Sequence, residues 1–308
     1  MNILGLESLV FGVEDLAATR QYLLDYGLDE AEFDPARGGY WTALDGTGIR
    51  VLRPDDPALP PNRLAPPQLR ETLYAVADAA TLDALHRHLG GEREVRVDAD
   101  GSLHCFDDGG TAIGFQLTRR RPIQARHLGF NVPGQAPGRA LNDCAADPDA
   151  VIKPRTLSHV VYFTPDVARS EAFYRRLGFT VTDRFEGLGP FMRPAGTDDH
   201  HTLFLIQSQN EHMVGCNHFT FHLGSASEVL QQGWNFARKG YRSFWGPGRH
   251  ILGSNFFWYF NSPFGAVMEI DADMDLHGGD WQPRSLPANA DTSQIFLFDA
   301  RDKWHPGG

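Results

Sequence analysis

The chain has 308 residues, 42% hydrophobic and 22% charged, a soluble globular composition long enough for two domains. Its 28 basic and 39 acidic residues give a formal charge of -11, which argues against phosphate-backbone binding and so against a nucleic-acid partner. Met1 to Phe11 has no basic n-region, no apolar run approaches the roughly 20 residues of a membrane span, and Cys105, Cys144 and Cys216 are too few and scattered for a disulfide framework. A cytoplasmic protein with buried thiols and no membrane partner is expected.

Four segments share one outline, a strand followed by a helix that stops at glycine. The first strand is read at Ser8 to Val13, with a helix from an Asp15 N-cap to Gly27. The second is Thr72 to Val76, with Asp78 to Leu89 helical and Gly90 as the stop. The third runs from Leu157 to Phe163, with Thr164 and Pro165 opening a helix that ends at Gly178. The fourth is His218 to Leu223, with a helix from about Ser225 to Gly240. From strand to glycine the spacings are 19 (Ser8 to Gly27), 18 (Thr72 to Gly90), 19 (His159 to Gly178) and 22 (His218 to Gly240). Units one and three align without a gap at an offset of 151, which brings Asp15 onto Asp166, Tyr22 onto Phe173 and Gly27 onto Gly178. A repeat of about 60 residues paired into halves of about 150 predicts an α+β fold of two similar domains, each of two βαβββ units.

Arg119 to Arg155 contains three prolines and two glycines between Pro133 and Pro148 and has no sustained period, so the boundary is placed there. The expected division is an N-terminal domain over 1–120, a linker over 121–153, a C-terminal domain over 154–275 and a tail over 276–308. Arg53 to Pro67 reads as a polar loop. The tail, with Trp281, Phe296, Phe298 and Trp304, is expected to cover a neighbour or its own domain's opening.

Nine of the 13 histidines lie after Ala150, so imidazole chemistry is expected in the second half. His159 shares a strand face with Val161 and Phe163, and His218 opens the next unit at the equivalent repeat position. Trp245 to Asp271 reads as two strands around an Asn261-Ser262-Pro263-Phe264-Gly265 turn. Alternation puts Asn255, Phe257 and Tyr259 on one face of the first strand and Phe256, Trp258 and Phe260 on the other. Val267, Glu269 and Asp271 share one face of the second. A carboxylate between Met268 and Ile270 is costly to bury without a cation or hydrogen bonds. His159, His218 and Glu269 together offer two imidazoles and a carboxylate with coordination positions left open. That ligand set suits non-haem Fe(II) enzymes that activate O2, and Mn(II), Zn(II) or Ni(II) can also occupy it. In the N-terminal half the matching positions are Ser8, Thr72 and Gly114, and no metal site is expected there.

With these residues in place the sequence resembles the type I extradiol ring-cleaving dioxygenases of the vicinal oxygen chelate superfamily. The likeness covers the whole chain as architecture, each domain an incomplete barrel, and is specific over His159 to Asp271. In that family a histidine in an L-x-H strand, a histidine in H-F and a glutamate after a P-x-G turn hold iron, which His159, His218 and Glu269 match. The family's H-H-T-L strand carries a histidine beside the O2 position, matched by His201, and its G-R-H motif with a tyrosine nine residues later is matched by His250 and Tyr259.

The resemblance implies a catecholic substrate chelated through both oxygens, with Tyr259 and His250 hydrogen-bonded to the chelated edge and His201 as acid/base. It also implies attack of O2 on the ring, O–O cleavage with ring expansion to a lactone, hydrolysis to a ring-opened product, and a homo-oligomeric assembly. Biphenyl-type enzymes have polar residues after G-R-H, where this chain has Ile251, Leu252 and Gly253. Homoprotocatechuate-type enzymes place an arginine before G-P-G-R-H, where Trp245 stands. A neutral or hydrophobically substituted catechol is therefore favoured, with Arg193 and Arg249 the candidates to meet an acid and Phe191 and Met192 the candidate pocket residues. His200 is expected to point away as a structural or exposed residue, His222 to pack in the core and Asp271 to be a solvated strand exit. His212, His277 and His305 are given no role. The alternatives are a glyoxalase-like metal-dependent isomerase or thiol transferase, and a non-catalytic small-molecule-binding protein of the same fold.

Overall fold

Each of the four repeat units folds as a strand, a helix and three more strands. The computed structural model describes residues 1–61, 68–125 and 129–299; Trp304 and His305 lie outside the described residues. Unit one is β1 (Ile3–Gly12), α1 (Leu16–Tyr26), β2 (Asp29–Asp34), β3 (Gly38–Thr42) and β4 (Gly48–Leu52). Unit two is β5 (Gln68–Val76), α2 (Ala79–Gly90), β6 (Arg96–Val97), β7 (Leu103–Phe106) and β8 (Ala112–Leu117). Unit three is β9 (Thr156–Thr164), α3 (Val167–Arg176), β10 (Thr180–Glu186), β11 (Gly189–Arg193) and β12 (Leu203–Gln207). Unit four is β13 (Gly215–His222), α4 (Ala226–Arg238), β14 (Ser243–His250), β15 (Phe256–Phe260) and β16 (Val267–Ala272). Then follow β17 (Arg284–Pro287), α5 (Ala290–Ser293) and β18 (Gln294–Leu297).

The helices begin where short polar side chains can accept from free backbone N–H groups. Asp15 accepts from Ala18 N at 2.9 Å, Asp78 from Thr81 N at 2.7 Å, Asp166 from Arg169 N at 3.0 Å and Ser225 from Glu228 N at 3.3 Å. The third cap is thus Asp166, and Thr164, expected to open that helix, is the last residue of β9. Gly27 ends α1 at φ 102°, a left-handed conformation, and a Cβ there would meet Ile152 O at 2.3 Å. β1 starts earlier than expected because Ile3 already pairs with Val76.

Two sheets result. The first has the order β2-β3-β4-β1-β5-β8-β7-β6, and the second β17-β10-β11-β12-β9-β13-β16-β15-β14-β18. In both, the opening strands of two units pair antiparallel at the centre, and each unit's last strand returns parallel to its first. This register corrects one correspondence. Ser8 pairs with Leu73 and Leu73 with Gly114, as His159 pairs with Thr220 and Thr220 with Glu269, so the counterpart of His218 is Glu71 rather than Thr72. The Glu71 carboxylate is bonded to His104 Nδ1 at 2.8 Å.

One hydrophobic core joins the two sheets. The Phe11 ring lies 5.1 Å from Phe219 and 4.9 Å from Phe264, and Tyr22 of α1 meets Phe236 of α4 edge-on at 5.2 Å. α4 sits so close to β15 that a Cβ on Gly233 would come within 2.0 Å of the Trp258 ring. The tail joins the second sheet at both edges: β17 pairs with β10 and β18 with β14.

Register also overturns the reading of Asp271 as solvated. It is fully buried, and its carboxylate accepts from Asn255 Nδ2 at 3.1 Å and pairs with His222 Nδ1 at 2.7 Å. His222 is therefore half of an ion pair rather than core filling. Burial works against its charge, but Asp271 prevails and lifts the His222 pKa to about 9. Because the folded value lies above the unfolded one, the pair contributes stability in full below about pH 6.5 and loses it as pH rises through about 9. His222→Gln is expected to cost about 1–3 kcal/mol in urea unfolding near pH 6 and much less near pH 10. An equal cost at both pH values would show that the pair carries no charge.

Candidate metal centre

His159, His218 and Glu269 stand on β9, β13 and β16, which are adjacent in the second sheet. Their donor atoms all lie within 4.8 Å of one another, and this is the cluster of three ligand-type side chains found among the described residues. Glu269 Oε2 is 3.0 Å from His159 Nε2 and 3.7 Å from His218 Nε2. Glu269 is fully buried, yet neither carboxylate oxygen receives a properly directed hydrogen bond. His218 Nδ1 faces Asn217 Oδ1 at 2.5 Å; the oxygen only accepts, so Nδ1 carries the proton and Nε2 presents a lone pair. His159 Nδ1 is held by Ser158 Oγ at 3.0 Å, which turns its Nε2 inward as well.

Burial lowers the His218 pKa to about 3 against the pull of Glu269, so this imidazole is neutral, the form that binds metal. Burial also opposes ionisation of Glu269, but the surrounding imidazoles, His159 first, hold it below the usual carboxylate range. A buried anion whose neighbours turn lone pairs toward it is an expensive arrangement that a divalent cation compensates. The residues present fit a metal.

Three further side chains reach the same place. His201 lies in the irregular stretch just before β12, its ring 4.2 Å from that of His159. His250 ends β14, and its Nε2 is 3.2 Å from the Tyr259 hydroxyl and 3.7 Å from Glu269 Oε1. Tyr259 stands opposite Glu269 in the β15–β16 ladder. Phe257 stacks on His250 at 4.0 Å and so fixes the plane of the imidazole. Burial and the nearby Glu269 push the Tyr259 pKa well up, so it stays a phenol that can donate. Burial and then the neighbouring imidazoles push His201 well down, so it is neutral.

These groups open on a cavity of about 110 Å³ lined from every strand of unit three and unit four, which shows the sheet curled around it. Apart from the site residues the walls are largely apolar, including Val161, Phe185, Phe191, Phe204, Ile206 and Leu252. Phe191 lines the cavity as expected, whereas Met192 alternates into the main core. Arg193 is bonded to Thr197 O and Gly278 O, and Arg249 to Ser254 O and Asp273, so neither meets the cavity. Cys144 is exposed, contrary to the expected buried thiol.

Of the two readings given for His200, the structural one holds and the exposed one does not: it is fully buried outside the cavity lining, with Nδ1 2.9 Å from His201 Nδ1 and Nε2 2.8 Å from Asp183 Oδ2. Strand alternation could not give these partners, because both histidines precede β12. His277, given no role, is buried and stacks on Trp281 at 3.7 Å.

Residues 156–270 match the glyoxalase/bleomycin resistance protein/dioxygenase superfamily. Metapyrocatechase 2 of Cupriavidus necator is 40% identical over 125 residues, a region that spans 40% of this chain and 38% of that protein. In fold, the chain resembles the Mn(II)-bound glyoxalase from Novosphingobium aromaticivorans (TM-score 0.77, 20% identity, 98% of this chain and 94% of that one). It likewise resembles homoprotocatechuate 2,3-dioxygenase from Arthrobacter globiformis (TM-score 0.74, 18% identity, 98% and 90%). The superfamily match thus covers residues 156–270, and the whole chain has the vicinal oxygen chelate fold.

Replacing His218 with Ala removes one of three ligands on a partly exposed site, so bound metal should be lost while circular dichroism stays native. Full metal content in that variant would take His218 out of the ligand set.

Proposed function

We propose that this protein is an extradiol dioxygenase of aromatic degradation, which opens a catecholic ring with O2 at a mononuclear Fe(II), or alternatively Mn(II), held by His159, His218 and Glu269. The observation that carries this reading is the convergence of His201, His250 and Tyr259 on the cavity side of the three ligands, since a purely structural metal would need no proton-handling groups beside it. The partial sequence match to a metapyrocatechase adds support.

A bound divalent iron would supply coordination of both catechol oxygens and activation of O2. The chain's own groups do the rest. Tyr259 and His250, 3.2 Å apart, can hydrogen-bond to a ring oxygen and fix which way the catechol enters. His201, neutral and at the cavity wall, can take a hydroxyl proton and later return one to the oxygen of the breaking O–O bond. Phe191, Phe204 and Val161 exclude water from this exchange. Both oxygen atoms end in the product and the ring supplies the electrons, so no external reductant is required.

Among the described residues no Lys or Arg lines the cavity, and a carboxylated ring would be buried there without a counter-charge. The substrate class is thus a neutral catechol with an apolar substituent. We assign the protein to the cytoplasm, where its three free cysteines stay reduced, and to a homo-oligomer, for which exposed Leu230 and Trp234, one turn apart on α4, offer apolar surface. A glyoxalase-like isomerase is the second reading, favoured by the fold likeness to the Novosphingobium aromaticivorans protein.

Protein reconstituted anaerobically with Fe(II) should consume O2 with alkyl- or aryl-substituted catechols and form a yellow ring-opened product, with carboxylated catechols the poorer substrates. His201→Phe should keep its metal and lose about 10²–10⁴-fold in kcat. No uptake with any catechol despite one bound metal per chain would favour the isomerase.

A further inference from the structure

Behind His201, on the side away from the three ligands, lies a chain of buried polar groups. His200 and Asp183 are fully buried and His201 nearly so. Asp183 Oδ1 accepts from the Arg284 backbone N at 2.7 Å, and Oδ2 accepts from the Arg284 guanidinium at 2.6 Å. The same Oδ2 lies 2.8 Å from His200 Nε2. His200 Nδ1 lies 2.9 Å from His201 Nδ1.

With both imidazoles neutral, hydrogen-bond complementarity allows one arrangement of protons along this line. Asp183 faces the guanidinium and the backbone N–H of Arg284, so it is a carboxylate and only accepts. His200 must therefore donate from Nε2. Burial, only partly offset by Asp183, keeps His200 neutral, so it has no second proton and its Nδ1 is an acceptor. His201 must then donate from Nδ1, and its remaining nitrogen, Nε2, bears a lone pair.

We infer that Asp183 and His200 are positioning residues that fix the His201 proton on Nδ1 and leave Nε2 as an unprotonated base. Arg284 anchors the far end. The inference rests on the acid/base role given to His201 under the proposed function and says what makes that role possible: an imidazole with Nε2 already protonated cannot take a substrate proton there. The chain also fixes the ring plane, since rotation of His201 would break its bond to His200.

The test needs a readout of the tautomer itself. In metal-free protein labelled with ¹⁵N-histidine, two-bond ¹H–¹⁵N spectra separate protonated from bare ring nitrogens, and loss of signals in His200 and His201 variants assigns them. The expected pattern is Nδ1–H with bare Nε2 for His201 and Nε2–H with bare Nδ1 for His200. In Fe(II)-loaded enzyme, His200→Phe should lower kcat about 10–100-fold with KM for the catechol within about twofold and metal content unchanged. His200→Asn, whose amide oxygen can accept in place of Nδ1, should recover most of the loss. Should His200→Phe fail to fold, Asp183→Asn serves, because its amide can donate to His200 Nε2 and mix the His201 tautomers in the same spectra. A bare Nδ1 on His201 in the unaltered protein, or kcat unchanged in His200→Phe, overturns the inference. The predicted spectrum in a protein that turns over no catechol would leave the inference standing and retire the catecholic reading instead.

Discussion

A carboxylate that receives no well-directed hydrogen bond among the described residues, in a dry interior, is the constraint to which the second half of the chain is fitted. Several kcal/mol oppose burying such a charge unless something positive meets it. Glu269 stays in place because its backbone is held on every side. β16 runs between β13 and β15, and the Glu269 carbonyl accepts from the Thr220 hydroxyl at 2.9 Å and from the Tyr26 hydroxyl at 2.8 Å. The side chain is left facing imidazoles whose Nδ1 atoms are already engaged with Ser158 and Asn217. A metal held here would meet lone pairs that the protein itself leaves largely unsatisfied.

Tyr26 belongs to α1, in the half where no three-ligand cluster is found among the described residues. The first sheet repeats the architecture of the second, but Ser8, Glu71 and Gly114 stand where His159, His218 and Glu269 would be, and Glu71 is tied to His104. Its contribution is structural. α1 is pressed onto α4 through Tyr22 and Phe236, and Phe11 of β1 packs against Phe219, the residue after His218. Such a shared core makes two stacked modules rigid where either alone would expose the back of its sheet.

Much of this was legible in the sequence because it follows from local rules. Capping side chains and glycine stops marked the helices, and their recurrence gave the four units. Two histidines at equivalent strand positions and a glutamate in an apolar strand marked the three side chains that the fold then brings together. What escaped depends on register or on residues outside strands. Asp271 looked like a strand exit because its partners, His222 and Asn255, come from other strands. Thr72 was taken for Glu71 because bulges in β1 shift the pairing. His200 was assigned to a strand face, although it sits in a bend where alternation does not hold, and Asp183 and Arg284 are 17 and 84 residues from it in sequence with nothing local to link them.

The tail was the least legible part, and its placement bears most on how the cavity is completed. β17 adds to the sheet beyond β10 and β18 adds beyond β14, so residues 288–293 cross from one edge of the curled sheet to the other. That crossing brings Ser293 to the cavity wall, where its carbonyl lies 3.4 Å from His250 Nδ1. β17, just ahead of this crossing, supplies Arg284 to Asp183. A sheet left open between β10 and β14 would expose an apolar pocket and leave the Asp183 carboxylate buried beside a single imidazole. The strand that closes the edge also supplies the charge that keeps Asp183 ionised, so closure of the cavity and the order of the His200–His201 pair depend on one short piece of chain.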